Sequence, residues 1–423
     1  MLAGFLAVPW MAGAQNSSLN TFSPYTFYGL GDLENGGTPA TRAMGGIGVA
    51  YWNPYAVNLT NPAAYSAIGR QRFIFEFGLS GKSSYLKSDV AKSAYNGFNV
   101  NDVAVQFPLY KGIGFAVSVM PVSSVGYRAE YQETNEDIIA DVGHVMYKYN
   151  GDGGVTQFKG GVGIRVFKGF SLGADFIYYL GTITRYAGVV ITPVLGSSDS
   201  PGNVTLRKRE EISKPLFDVG MQWDVLRTDE RVLTLGAVFQ PQVKLNNKTI
   251  REVTVSTSTD SISTRTERTP LTLPDLYKAG IYYRTERFGA GFDYSYQDWK
   301  DAFSIPQEDR VSLDAAQSFR VGLHYTPNRF DIRRALNRWT YRLGFRYEDQ
   351  YLVMNGRKLH DMAVTFGVGI PVRATSMSEV SVGVELGRRG KTSYGLIREN
   401  YFRVSVGFSL FGEDYWFVKQ KYD

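Results

Sequence analysis

Very few side chains in this sequence could perform catalysis or bind a metal ion. The chain of 423 residues has no cysteine and only three histidines, His144, His324 and His360. They lie far apart, and none has another ligand-type residue at the spacing of zinc sites. For His324, predicted on the same strand face as Arg320, a structural hydrogen bond is the alternative to a ligand role. A catalytic triad could be assembled across strands, which spacing does not reveal. We expect no enzyme, no metal and no cofactor.

Nucleotide and nucleic-acid binding are also unsupported. The glycine pairs at residues 45–46 and 160–161 follow neither a phosphate-loop pattern nor a strand-to-helix context. The formal net charge of +6 is small for this length, and the basic residues are scattered. We therefore expect no nucleic-acid partner, and the function must come from the architecture that carries the polar residues.

That architecture is predicted to be all-β. Residues 401–411, YFRVSVGFSLF, alternate between large apolar residues and small or polar ones, as a half-buried strand of a soluble sandwich also does. About fourteen such segments follow one another from residue 72 onward, with no linker between them. Their repetition predicts one transmembrane antiparallel β-barrel over residues 72–411, apolar outside and polar inside.

The lengths of the connections and the composition of the N-terminus predict the cellular location of the protein. Short and long connections alternate, with one exception at residues 327–338, as expected for short periplasmic turns and long outer loops. Both termini are then periplasmic. Residues 1–14 resemble a shortened secretory signal peptide, with a buried N-terminal helix as the alternative. We predict the outer membrane of a Gram-negative bacterium, and an interfacial aromatic anchor in the tail at 412–423.

Residues 15–71 break the alternation and are rich in glycine and proline. Irregular backbone cannot face lipid, so this segment is predicted to lie inside the barrel or at its periplasmic mouth, as a plug. Two motifs mark it, and the second begins some ten residues after the first, MGGIGVA, ends at Ala50. They consist of Met44, Gly45 and Gly46, and of Asn61, Pro62 and Ala63.

These motifs resemble the FadL/TodX family of outer-membrane transport proteins, and the opening Ser23, Pro24 and Tyr25 are similar to a branch of that family whose functions are mostly unassigned. The motif resemblance covers residues 23–65, and the strand count extends it along the chain. It implies a 14-stranded barrel filled by an N-terminal hatch.

Charged residues and glycines share the inward positions of the predicted strands. Glycine in a strand lets another backbone approach closely, and a buried charge needs partners. We predict a filled lumen in which charged hydrogen bonds hold the plug. The alternative is that glycines relieve barrel curvature and charges line water. The predicted polar ladder consists of Lys159, Arg165, Asp218, Lys278, Asp293, Arg320, Arg342, Arg346 and Arg403.

One predicted strand contains a proline, Pro121, followed by Ser123, Ser124 and Gly126. Proline cannot donate to the ladder, so the strand should bulge or break there. In FadL-like proteins a kink in an early strand opens a lateral hole for hydrophobic ligands. The resemblance implies such a gate at these four residues, and a harmless bulge is the alternative.

The predicted barrel, plug and gate indicate two alternative functions. The first is a channel that transports hydrophobic small molecules across the outer membrane, through a loop-lined entry, the plug and a lateral wall opening. The second is a non-transporting FadL-like barrel that acts as a scaffold or partner subunit in an outer-membrane assembly or secretion complex. The expected partners are outer-membrane lipid, a hydrophobic small molecule and other envelope proteins. A fold of this kind hosts more than one function.

Overall fold

The computed structural model describes residues 21–34, 36–69, 72–89, 91–192, 202–245, 247–256, 261–305, 310–373 and 377–412. The predicted signal peptide, the first plug residues up to 20, residues 70–71 and the tail beyond residue 412 lie outside the described residues.

Fourteen antiparallel strands form a closed barrel, as predicted. The first strand pairs with the last, from Phe73 opposite Gly412 to Lys87 opposite Arg398, so closure removes the sheet edges that lipid would leave unpaired. The strands are β1 Phe73–Lys87, β2 Lys92–Tyr110, β3 Ile113–Gln132, β4 His144–Phe167, β5 Phe170–Thr192, β6 Asn203–Arg227, β7 Arg231–Gln240 continued by Asn247–Ser256, β8 Ser261–Thr269 continued by Leu276–Thr285, β9 Phe288–Asp298, β10 Val311–Leu313 continued by Ala315–Tyr325, β11 Thr340–Met354, β12 Arg357–Pro371, β13 Glu379–Arg389 and β14 Arg398–Gly412.

Side-chain burial follows the predicted alternation. On β14, Phe402 and Leu410 are exposed on the outside, whereas Tyr401, Ser405 and Ser409 are buried inside. Outward apolar residues on the other strands continue this band around the barrel, where hydrocarbon can cover them. Among the described residues no helix is long and apolar enough to cross a membrane.

The alternation of short and long connections is only partly correct. At one end of the barrel β2–β3 and β4–β5 are joined by two-residue turns, and we call this the short-turn end. At the other end the predicted long loop between β11 and β12 is a turn at residues 355–356. Residues 190–192 and 203–213, beside another expected long connection, are likewise part of strands. The strands extend past the apolar band, and alternation weakens there because both faces meet water.

The N-terminal segment, residues 21–69, lies inside the ring of strands, and its described residues are buried or half-buried, with none exposed. It contains the 3-10 helices Pro24–Phe27 and Pro62–Ala67, the two-residue strand Asp32–Leu33 and the single-turn helix Pro39–Arg42. Because these pieces are too short to bury a core of their own, the barrel wall supplies the surface against which they pack.

Candidate functional site: the segment inside the barrel and the breaks in the wall

Inward glycines of the wall make room for the backbone of the N-terminal segment. A Cβ atom at Gly163 or Gly173 would overlap the backbone of Pro62, and one at Gly344 would overlap that of Gly45. The same kind of overlap occurs around the ring, at Gly114 with Tyr65, Gly236 with Val49 and Gly322 with Met44. These glycines therefore act as backbone contact points, one of the two roles that the sequence left open.

The first motif forms a turn against β10, β11 and β12. Gly45 and Gly46 have φ values of 68° and 81°, a left-handed conformation that glycine adopts without strain. The Gly45 amide donates to Oγ1 of Thr365 at 2.9 Å, and the Gly46 carbonyl accepts from Nη1 of Arg320 at 3.3 Å. Met44 is fully buried. The motif thus fixes the segment to three wall strands.

The second motif caps a helix and binds the wall with the same side chain. Oδ1 of Asn61 accepts from the Ala63 amide at 3.0 Å, which caps the helix Pro62–Ala67. Nδ2 of Asn61 donates to the carbonyls of Val49 at 2.7 Å and Met221 at 3.0 Å. Asparagine can do this because its amide offers an acceptor and two donors.

Part of the predicted polar ladder contacts the segment directly. Nζ of Lys159 lies 2.6 Å from Asp175 and 3.1 Å from Asp218, and it donates to the Leu59 carbonyl at 3.4 Å. Asp293 accepts from the amides of Gly48 at 2.6 Å and Val49 at 2.9 Å, and Arg165 donates to the Ser66 carbonyl at 3.0 Å. Lys278 instead lines an internal cavity of about 230 Å³.

The other part forms an ion-pair network on β11 to β14. Arg346 lies 2.6 Å from Glu385, and Arg342 lies 2.5 Å from Glu379. Arg403 lies 3.8 Å from both Glu385 and Glu34 of the N-terminal segment. Burial alone would raise the pKa of Glu34, but the neighbouring Arg403, Arg42 and Lys82 outweigh it and lower that pKa below its ordinary value.

Several functional partners were missed from sequence. Arg389 bonds Asp32 at 2.5 Å and lies 3.7 Å from Glu399, and neither Arg389 nor the carboxylates Asp175, Glu385 and Glu399 were predicted. Their inward parity on the strands was the available signal. A lone residue on an inward face does not reveal which neighbour faces it, because that depends on strand register.

The wall is interrupted beside Pro121. From their turn at residues 111–112, β2 and β3 pair only as far as Val103 opposite Val119. On the other side of β3 pairing with β4 continues, with a register shift between Pro121 and Ser123. The strand therefore bulges at the proline. Beyond it, toward the end of the barrel opposite the short turns, β2 and β3 separate. Whether a ligand passes there stays a prediction.

The N-terminal segment occupies this break. Asp32 and Leu33 pair with Ser124 and Ser123. The Gly126 carbonyl accepts from the Ser23 amide at 2.8 Å and from Oγ1 of Thr26 at 3.1 Å. A side chain at Gly126 would overlap the backbone of Thr21. We call residues 21–34 the seam segment. It brings together three of the four predicted gate residues, Ser123, Ser124 and Gly126.

A second interruption lies between β6 and β7 and was not predicted. The β6–β7 register covers Glu211 opposite Lys248 and resumes at Val219 opposite Phe239. Between these points residues 241–245 and 270–275 leave the wall and pair with each other, Val243–Lys244 with Thr272–Leu273. Their leucines pack inward against Trp299. Four prolines cluster here, and they were the overlooked signal: Pro215, Pro241, Pro270 and Pro274.

The histidines form no metal site within the described residues, where no group of three or more ligand-type residues is close enough to hold an ion. Nδ1 of His324 lies 3.1 Å from the Tyr282 hydroxyl, and Nδ1 of His360 lies 2.6 Å from Asp349. These are ordinary hydrogen bonds within the wall and rim.

The closed wall, the apolar band and the segment inside define the class as a fourteen-stranded transmembrane barrel with the FadL-type fold. The toluene transporter TbuX of Ralstonia pickettii superposes with a TM-score of 0.58 at 16% identity, over 89% of this chain and 98% of TbuX. A Pseudomonas aeruginosa FadL homologue gives 0.58 at 15%, over 90% and 98%. The Pseudomonas putida toluene transporter TodX gives 0.57 at 15%, over 90% and 99%.

A more specific match comes from sequence. The family model described as BamG matches residues 1–423, the whole chain. The protein therefore belongs to the BamG family. No curated protein matches its sequence.

Proposed function

We propose that this protein is a sealed outer-membrane barrel that acts as a structural partner subunit in an envelope assembly, and not as a conduit. Membership in the BamG family agrees with this choice. The likeness to toluene transporters, at 15 to 16% identity, bears on the fold alone.

The observation that carries the proposal is the seam segment. It fills the break beside Pro121, the opening that the sequence predicts as the lateral exit for a hydrophobic ligand. It binds the β3 edge through backbone pairing at Ser123 and Ser124, with one more bond from the Glu34 amide to the Val122 carbonyl at 2.7 Å. These bonds satisfy backbone groups of the β3 edge that lipid could not satisfy.

Ionic contacts across the barrel hold the seam segment in place. Arg389 on β13 binds Asp32, and Glu399 on β14 accepts from the Ser23 hydroxyl at 3.0 Å. These groups are buried, so opening the break would separate the buried Asp32–Arg389 ion pair. Breaking a buried ion pair costs about 3–5 kcal/mol, which favours the closed state of this break.

An engineered disulfide tests the proposal. The chain has no cysteine, so Leu33→Cys with Ser123→Cys introduces a single possible bridge, and directly paired strand residues lie within disulfide reach. We expect the oxidised protein to co-purify with its envelope partners at the wild-type ratio after gentle detergent extraction, and to leave toluene uptake by cells unchanged.

The matched control is a cysteine pair at Val382 and Val406, which face each other on β13 and β14. Uptake that depends on this protein, that falls when the seam bridge forms and that returns on reduction would refute the sealed barrel. The control bridge should affect neither measurement.

Transport of hydrophobic small molecules is the second candidate, because one cavity suits it. A cavity of about 540 Å³ lies at the part of the break farthest from the short-turn end. Its lining includes Phe22, Phe27, Tyr95, Tyr127 and Tyr149. Its size and aromatic lining are those of small-molecule sites. Under this function the seam segment would have to move, and the disulfide experiment would stop uptake.

A further inference from the structure

The exceptional connection at the short-turn end is a folded loop of its own. Residues 326–339 join β10 to β11 and contain the single-turn helix Ala335–Arg338. We call them the rim loop. They form a connection of fourteen residues, whereas the other connections at this end have two to seven.

The rim loop exposes large apolar side chains. Ile332 is 87% exposed, Phe330 62% and Leu336 58%. Isolated exposed hydrophobic residues are common, but three within seven residues form a local apolar surface, which is a frequent property of interaction sites.

The loop holds these side chains in position. Oδ1 of Asp331 accepts from the amides of Arg333 at 2.8 Å and Arg334 at 2.9 Å, and Oδ2 accepts from Nδ2 of Asn337 at 2.6 Å. Nη1 of Arg338 donates to the Asp331 carbonyl at 2.8 Å. A braced loop loses little conformational entropy when a partner binds.

The loop is also tied to the barrel mouth. Arg329 lies 3.5 Å from Glu379 at the start of β13, and the Thr326 amide donates to the Arg287 carbonyl at 2.8 Å. Phe330 lines a cavity of about 480 Å³ together with Trp52 and Tyr55 of the N-terminal segment. Phe330 therefore borders the mouth, so the rim loop and the tip of the N-terminal segment form one continuous surface.

The charge of this surface is positive. The rim loop carries four arginines, Arg329, Arg333, Arg334 and Arg338, against one carboxylate, Asp331. Asp331 is occupied by contacts within the loop. The side chains of Arg333 and Arg334 are exposed and, in the part of the chain that the structure describes, form no ion pair, so they are available to a partner.

We propose that the rim loop, with the Trp52 and Tyr55 tip beside it, is the docking surface for an acidic, apolar segment of another envelope protein on the periplasmic side. This inference rests on the proposed partner-subunit role and on the short-turn end facing the periplasm. Apolar anchors enter beside Ile332 and Phe330, and carboxylates pair with Arg333 and Arg334. Arginine suits this role because its planar group binds carboxylates through two hydrogen bonds.

Site-specific photo-crosslinking in cells tests the surface. The full-length protein carries p-benzoylphenylalanine at position 332 and, as the matched control, at position 262, an isoleucine that is 66% exposed at the opposite end. We expect a discrete protein adduct at 332, in which the crosslinked peptide, identified by mass spectrometry, is rich in Asp and Glu. Adducts to phospholipid, to a second copy of this chain or to nothing would each overturn the proposal.

Charge reversal provides a second measurement. Arg333→Glu with Arg334→Glu should lower the yield of the 332 adduct at least tenfold, whereas Arg265→Glu with Arg268→Glu at the opposite end should leave it unchanged. All four side chains are exposed, so folding should persist, and heat-dependent gel mobility of the barrel checks this. An adduct yield that is indifferent to the rim-loop reversal refutes the proposed docking chemistry. If partners still co-purify while the 332 adduct is absent, the subunit role survives and this surface does not.

Discussion

Replacing Gly45 with alanine is the most direct test of how the segment inside the barrel is held. A Cβ atom added at Gly45 would lie 2.6 Å from the Val321 carbonyl oxygen and 2.8 Å from that of Phe345. Both oxygens belong to wall strands and cannot rotate away. The residue also has a φ of 68°, which an L side chain disfavours.

The magnitude follows from these two effects. A left-handed conformation costs a non-glycine residue about 1–2 kcal/mol, and overpacking typically costs about 1–3 kcal/mol. Their sum, about 2–5 kcal/mol, should weaken docking of the segment. Because 1.4 kcal/mol corresponds to a factor of ten, amide protection in residues 44–68 should fall by about 30-fold to several thousand-fold, as local opening becomes easier.

Hydrogen exchange of the purified barrel in detergent, followed by mass spectrometry, measures this protection. Two controls separate the effects. Gly356→Ala has nearly the same backbone angle, with φ of 70°, and open space around the new Cβ atom, and Gly160→Ala also meets nothing within 4 Å. Neither should change exchange in residues 44–68. If Gly45→Ala behaves like Gly356→Ala, the close packing that we infer is wrong.

Two further predictions concern charge. Lys159→Met should destabilise the barrel by about 3–5 kcal/mol, because it leaves Asp175 and Asp218 buried without their shared cation; denaturant unfolding measures the loss, and the exposed Lys248→Met should cause almost none. In the rim loop, hydrogen bonds from Asn337 and from two backbone amides lower the pKa of Asp331. The lowered pKa stabilises the loop above the ordinary pKa of an aspartate, and this contribution is lost as the pH falls through the lowered pKa. The protection factors of the amides in residues 328–338, corrected for the intrinsic pH dependence of exchange, should therefore fall on acidification, and Asp331→Ala should show that low protection already at neutral pH.

The barrel could be predicted because its cause is local. Each strand must direct apolar side chains to lipid and small or polar ones to the lumen. The sequence of each strand therefore alternates, as it does from Tyr401 to Leu410. The inward glycines, such as Gly344, were predicted for the same reason. The break at Pro121 could also be predicted, because proline lacks the amide that a ladder requires.

Other features depend on register and on long-range packing. The sequence did not predict that parts of β7 and β8 turn inward, because Leu245, Leu271 and Leu273 are residues of a kind common in strands. Only the structure shows that they pack in one cluster with Trp299. The sequence also did not predict which segment fills the break at Pro121. Its occupant, residues 21–34, is about a hundred positions away in sequence, and no periodicity connects the two.

The sequence by itself determined a closed, lipid-facing sheet with room for another backbone inside, since side-chain polarity and the absence of a Cβ atom act at single positions. The tertiary structure decided what fills that room and where it is fastened. Pairs such as Arg389 with Asp32 form between residues 357 positions apart, and their meeting depends on how all fourteen strands are staggered around the barrel.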